Sequence, residues 1–300
     1  MPDMNVAVVD VGSNTIRLLV GARVRGELVA VARGKRVVGL GRDVEQLGAI
    51  SAPKLAETAE CVCDFVDDAR AVGAALIDVV VASPGRQARN ADQLVRLISR
   101  ASGAQARVLT QEEEARLAFE GALEDTASDG AVAVCDVGGG SAQVAVGTAE
   151  AGPAWLRSID LGSLRLSARV AHSDPPTKSE QAALRTEARA AISSLTPPLP
   201  AGAVAVGGSA RALRKLVGKS LGPDELAEAT QILRRLSAEE LSERYDVDVW
   251  RARALPAGAA ILAELQSLLH VPLEVGKAGL REGVLLDLLD RLPAVQAGGR

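Results

Sequence analysis

Apolar residues in this chain come in two kinds of run, and the two kinds take turns. Short, nearly unbroken runs at 6–9, 16–20, 28–32, 77–82 and 106–109 read as buried strands, as do 131–135, 144–146, 156–161, 203–206 and 271–275. Spacings of three and four mark helices over about 53–72 (Leu55, Ala59, Val62, Val66), 90–101 and 111–120. Further helices are expected over 163–170, 179–195, most of 210–244, 255–269 and 279–292. Strands alternating with helices in both halves predict an α/β architecture.

Capping and turn residues sharpen the boundaries. Gly26 and Glu27 form the bend of a hairpin. Ser51 reads as an N-cap with Pro53 in the first turn. Ser83, Pro84 and Gly85 read as a turn after a buried strand. Thr110 with Glu113 three residues on is a capping box, and Gly121 is placed to end that helix. The polar stretch from Glu124 to Gly130, with Asp125, Ser128 and Asp129, is the expected domain boundary. It divides the chain into residues 1–124 and 125–283.

Composition changes this picture little. Three hundred residues, at about 100–200 per domain, suit two domains. Aromatics are only 2%, so the core has to be built from Val, Leu, Ala and Ile. A net charge of −4 supplies no global basic field to recruit nucleic acid. Any polyanion must be met by local arginines and lysines. Cys61, Cys63 and Cys135 contain no CxxC pair, and His172 and His270 lack metal-ligand spacing. Buried thiols in a reducing compartment are expected. With no run of 18 apolar residues and no signal-peptide pattern at the start, a cytoplasmic protein without membrane association is expected.

One segment repeats. Residues 10–21 reappear as 136–147: Asp10 matches Asp136, Gly12 matches Gly138, Thr15 matches Ser141, Val20 matches Val146 and Gly21 matches Gly147. Each copy reads as strand, Gly-rich turn, strand. Gly12, Ser13, Asn14 and Thr15 in one turn, and Gly138, Gly139, Gly140 and Ser141 in the other, offer N–H and hydroxyl donors to phosphate oxygens. Asp10 and Asp136 at the turn entrances suit a hydrated Mg²⁺, which takes one or two carboxylates and keeps several waters. A third anion site is expected where Gly207, Gly208 and Ser209 lead from strand to helix. Taken singly, such glycines also make plain hairpins; the pair with matching acids points to two similar domains across one polyanion. Glu112, Glu113 and Glu114 open a helix, where acids complement the dipole without any further role. Arg86, read alone, is either a solvated loop arginine or a bidentate phosphate clamp.

The motifs at Asp10–Thr15, Arg86–Asn90, Glu112–Arg116, Asp136–Ser141, Asp160–Ser163, Gly207–Ser209 and Leu280–Gly283 occur together and in order. The chain thereby resembles the exopolyphosphatase and guanosine pentaphosphate phosphohydrolase (Ppx/GppA) family, of the short two-domain type. The resemblance implies two actin-like (RNase H-like) domains facing each other across a ligand cleft, with the closing helix, 284–300, packed back on the first domain. It implies Mg²⁺-assisted attack of water on the end of inorganic polyphosphate, with Glu114 as the base and Arg86 on phosphate. Removal of the 5′ γ-phosphate of guanosine pentaphosphate is the alternative, and a weakly active sensor the third. A homodimer is also implied. Two positions depart from the family pattern: Gln143 stands where a catalytic or metal-side glutamate is usual, and Ser83-Pro84-Gly85 is an unusual lead-in to Arg86.

Overall fold

The computed structural model describes residues 4–124 and 130–292. Most of the expected boundary segment, 125–129, and the end of the expected closing helix, 293–300, lie outside the described residues.

The first half runs β1 (Asn5–Val11), β2 (Thr15–Val24), β3 (Glu27–Val37), α1 (Leu40–Leu47), α2 (Ala52–Ala71), β4 (Ala74–Val81), α3 (Ser83–Gln87), α4 (Ala91–Ser102), β5 (Ala106–Val108) and α5 (Gln111–Leu123). The second runs β6 (Val132–Val137), β7 (Ala142–Thr148), β8 (Gly152–Ile159), α6 (Ser163–Val170), α7 (Lys178–Ile192), β9 (Gly202–Val206), α8 (Gly207–Val217), β10 (Ser220–Leu221), α9 (Pro223–Leu233), α10 (Ala238–Tyr245), α11 (Val249–Leu269), β11 (Leu273–Val275) and α12 (Leu280–Arg291).

Two mixed sheets result, ordered β3-β2-β1-β4-β5 and β10-β11-β9-β6-β7-β8. Apart from β10, the second is the first repeated: an antiparallel three-strand meander, then two parallel neighbours beside its first strand. The correspondence reaches single residues. Asp10 pairs with Arg17 across β1–β2, and Asp136 with Gln143 across β6–β7. A register shift falls at Val20/Gly21 in one sheet and at Val146/Gly147 in the other. The glycine closing each repeat thus marks a bulge. A Cβ on Gly147 would lie 2.1 Å from the Gly152 carbonyl oxygen.

Helices α2 and α4 cover one face of the first sheet, with Leu55, Val62, Leu94 and Ile98 against Val9, Leu18 and Val79. The other face, with Val6, Val8, Leu19 and Val80, receives Val284, Leu285 and Leu288 of α12 and Leu117 of α5. Phe119, Ala122 and Leu123 of α5 face the other way, onto Val132, Val134, Ala145 and Val204. Helix α5 is therefore shared between the two sheets. It crosses α12 at backbone contact: a Cβ on Gly121 would meet the Gly279 oxygen at 2.1 Å, and one on Gly283 the Leu117 oxygen at 1.9 Å.

Several expectations are corrected here. Gly121 lies inside α5, which continues to Leu123, because this crossing and not a helix end requires the missing side chain. Residues 83–87 form a short helix where a turn was expected. Helix α1 was not foreseen; glycines in the left-handed region bound it, Gly39 at φ 80° and Gly48 at φ 64°. Ser51 does hold the N-cap position of α2, but its side chain makes no capping bond. Helix α11 begins at Val249 and passes through Pro256, instead of starting beside it.

Candidate active site

The two repeated turns meet. The Ser13 hydroxyl lies 2.7 Å from that of Ser83, and a Cβ on Gly140 would fall 2.6 Å from both hydroxyl oxygens. Between the turns opens a cleft of about 140 Å³. Asp10, Gly12, Ser13, Asn14 and Thr15 line it from the first half and Asp136, Gly138, Gly139, Ser141, Gly207 and Gly208 from the second, and Glu114 of α5 lines it too.

The turns form because their inward groups already have partners. Within each, a glycine N–H donates across the bend: Gly12 to Thr15 O at 3.1 Å, Gly138 to Ser141 O at 3.0 Å. Carbonyls of the first turn are taken from behind: Ser13 O by Gly41 N, and Asn14 O by Val38 N and Gly39 N. Those of the second are taken by the start of α6, with Ser163 N on Gly138 O and both Leu164 N and Arg165 N on Gly139 O. Among the described residues, the N–H groups of Ser13, Asn14, Gly139 and Gly140 make no hydrogen bond. Carbonyls held behind and donors left in front make a pre-formed anion cradle.

Three more helices start at the cleft. The first residues of α8 (Gly207, Gly208), α11 (Trp250, Arg251) and α12 (Leu280, Arg281) all line it, so three positive dipole ends point at one space. Arg17, Arg211, Arg251 and Arg281 surround the same space. Burial first, and neighbouring arginines second, lower the Arg17 and Arg251 guanidinium pKa values to about 10; burial likewise depresses Arg211. The guanidiniums repel one another: Arg281 and Arg211 act on Arg17, and Arg17 and Arg211 on Arg251. Sequence reasoning gave none of the four a role. Arg17 carried a signal nonetheless, since it faces Asp10 in the repeat register.

The carboxylates form the opposing set. Burial raises Asp10, against Arg281 and Arg17. Asp136 is raised to about 6, by burial first, with Arg211 opposing and Asp10 adding. Glu114 is only 6% exposed and is pushed up to about 7. Burial outweighs the neighbouring Arg86 there, and Asp136 and Asp10 add repulsion. One oxygen, Oδ1 of Asp10, is buried without a hydrogen-bond partner, as is Nδ2 of Asn14. Among the described residues no group of three His, Cys, Asp or Glu gathers as a metal cage. Two carboxylates, one with an unsatisfied oxygen, fit a cation that keeps much of its water, as Mg²⁺ does.

Four expected site residues stand behind the lining. Arg86 does not reach the cleft: its Nη2 donates to Glu114 Oε2 at 2.5 Å and its Nη1 to Leu109 O at 2.9 Å. It fixes Glu114 where a phosphate clamp was expected. Gln143 is 2% exposed, and its Nε2 donates to the Ser141 and Ser158 hydroxyls at 3.0 and 3.1 Å. Gly140 packs on Ser13 and Ser83, and Ser209 turns its hydroxyl toward Gly258 of α11. Glu113 closes its capping box with Thr110 and pairs with Arg107 at 3.1 Å, which separates it from Glu114.

This geometry has relatives. Residues 19–292 match the profile of the Ppx/GppA phosphatase family, so the first turn, 10–15, precedes the matched span. The chain is 30% identical to Exopolyphosphatase 2 of Mycobacterium tuberculosis, over 94% of this chain and 96% of that protein. It is 29% identical to Exopolyphosphatase 1 of Mycobacterium bovis, over 96% and 89%. The crystal structure of the Aquifex aeolicus Ppx/GppA family member superposes with a TM-score of 0.83 at 26% identity, covering 96% of this chain and 98% of that one. An exopolyphosphatase from Cytophaga hutchinsonii shares the fold at a TM-score of 0.87 and 19% identity, over 96% and 98%. This chain belongs to the Ppx/GppA phosphatase family.

Proposed function

We propose that the protein is an exopolyphosphatase, releasing orthophosphate from the end of inorganic polyphosphate by attack of water. The observation that carries this reading is Glu114: a dry carboxylate between two N–H cradles and four guanidiniums, in a cleft whose chemistry suits several phosphates and little else. The names of the exopolyphosphatase relatives support it.

In this reading residues 1–124 and 125–283 act as two jaws. The Ser13, Asn14 and Gly139 amides hold the terminal phosphoryl oxygens. Arg17, Arg211, Arg251 and Arg281 spread along the remaining charge. Glu114, oriented by Arg86, takes the proton of the attacking water. Asp10 and Asp136 would hold Mg²⁺, which when bound supplies positive charge against the transferred phosphoryl group. The free thiols, Cys61, Cys63 and Cys135, suit a cytoplasmic location, and no helix among the described residues is long and apolar enough to cross a membrane. A homodimer is the expected assembly.

The second reading, hydrolysis of guanosine pentaphosphate, draws on Trp250, whose ring lines the cleft and could stack on a base. The Arg251 guanidinium already sits 4.3 Å from that ring centroid, so a base must share or displace it. The deciding experiment is phosphate release from long-chain polyphosphate, tripolyphosphate and guanosine pentaphosphate, with and without Mg²⁺. Mg²⁺-dependent release from polyphosphate ahead of the nucleotide is expected. Turnover of the nucleotide alone would replace the first reading by the second, and no turnover of any of them would leave a phosphate-ligand sensor.

A further inference from the structure

A second cavity is larger than the candidate active-site cleft. It lies among α7, α9 and α11 and measures about 570 Å³. Its floor is aliphatic: Leu184, Leu226 and Leu233 are each at most 3% exposed. The α11 wall is kept low by Ala259, Ala260 and Ala263. No aromatic residue lines it, so a nucleobase would find nothing to stack on.

Two of its polar side chains are already engaged, the Thr230 hydroxyl donating to Leu226 O and Gln266 Nε2 to Val271 O. Lys178, Arg185 and Arg234 stand in the lining, and among the described residues none of the three forms an ion pair. The Gln181 side-chain Nε2, also in the lining, is buried without a hydrogen-bond partner. A buried amide without an acceptor costs stability until one arrives. An aliphatic floor with three exposed cations at its mouth and one waiting donor is complementary to an apolar chain ending in an anionic oxygen group.

We propose that this cavity is a second binding site, for a small aliphatic anion, with the chain along Leu184, Leu226 and Leu233 and the head between Arg185, Arg234 and the Gln181 amide. The site is independent of polyphosphate hydrolysis. It has a route to the cleft, however, because α11 carries Ala259, Ala260 and Ala263 here and Trp250 and Arg251 there.

Calorimetric titration of the whole protein tests this with hexanoate, octanoate, decanoate, decyl phosphate and decanol below their micelle-forming concentrations. Saturable one-to-one binding of decanoate or decyl phosphate is expected, and the stronger of the two identifies the head group. Affinity should rise on the order of fourfold per methylene until the cavity is full. Decanol should bind more weakly than either anion, and Arg185→Ala with Arg234→Ala should cost roughly tenfold. Ala263→Leu, which fills the wall, should remove binding while circular dichroism and phosphate release stay at wild-type levels. Decanol binding as tightly as decanoate, affinity independent of chain length, or undiminished binding in a folded Ala263→Leu protein would each overturn the proposal.

Discussion

A carboxylate at position 114 is held out of water, tied to Arg86 at 2.5 Å, and crowded electrostatically by Asp136 and Asp10. Its proton therefore stays on up to about pH 7. A base works only in its ionised form, so phosphate release should fall as pH drops through about 7 and level off above it. Glu114→Gln should cost about 10²–10⁴-fold and abolish that acid limb. A limb retained in the residual rate would belong to Asp136, at about 6. Gln143 is the other residue to change. It faces Asp136 across β6–β7 and already engages two hydroxyls, each able to donate to a carboxylate instead. Gln143→Glu is expected to raise the rate at limiting Mg²⁺; phosphate release titrated with Mg²⁺ reads this out, and an unchanged curve would make the amide neutral. What sequence showed at this scale was the identity of the acids and glycines. What it hid was direction. Arg86 and Arg17 are both arginines near a turn, yet one faces a protein carboxylate and the other the cleft, and only the packing of α5 and the pairing of β1 with β2 decides which.

The crossing of α5 and α12 sets where the catalytic groups stand. Gly121 and Gly283 let the two backbones touch, and this contact fixes the two helices that bring Glu114 and Arg281 to the same cleft. Gly283→Ala would place a methyl group within 1.9 Å of the Leu117 oxygen, so the helices must part. Overpacking of this kind costs about 1–3 kcal/mol. Denaturant unfolding should show that loss, and phosphate release should fall further than the unfolded fraction explains. Wild-type stability and rate would mean the crossing tolerates a wider gap. Element positions were largely legible from periodicity, and α6 was placed to the residue. The failures share one cause: a local signal that tertiary packing overrules. The helix read over 255–269 has Pro256 in its first turn, yet α11 extends back through it to Val249, because Ala252 and Leu255 are buried against the second core. Gly121 reads as a helix end and is a contact point.

On the scale of the whole molecule, the 126-residue offset in the sequence is a duplicated sheet. Its two copies have diverged where charge is concerned: the position facing the entrance aspartate is Arg17 in one and Gln143 in the other. The halves are joined across the cleft by ion pairs, Lys35 with Asp248 at 2.5 Å and Glu45 with Arg165 and Arg169 at 3.1 and 2.9 Å. These close the structure around a space lined by four guanidiniums and by Asp10, Glu114, Asp136 and Glu282, the first three of which burial pushes toward their neutral form. Repulsion stored there is part of what folding has to overcome, so any small multivalent anion that enters should strengthen the fold. Tripolyphosphate without Mg²⁺ should raise the thermal midpoint by several degrees at a large excess over its dissociation constant, and sulfate by less. A scan showing no shift with either would mean the guanidiniums are not available to anions. The same crowding bears on steady-state behaviour. Orthophosphate leaving the cleft finds the resting protein still attractive to it, so the product should act as a competitive inhibitor. Rising ionic strength should weaken that inhibition, because screening relieves the repulsion before the product can.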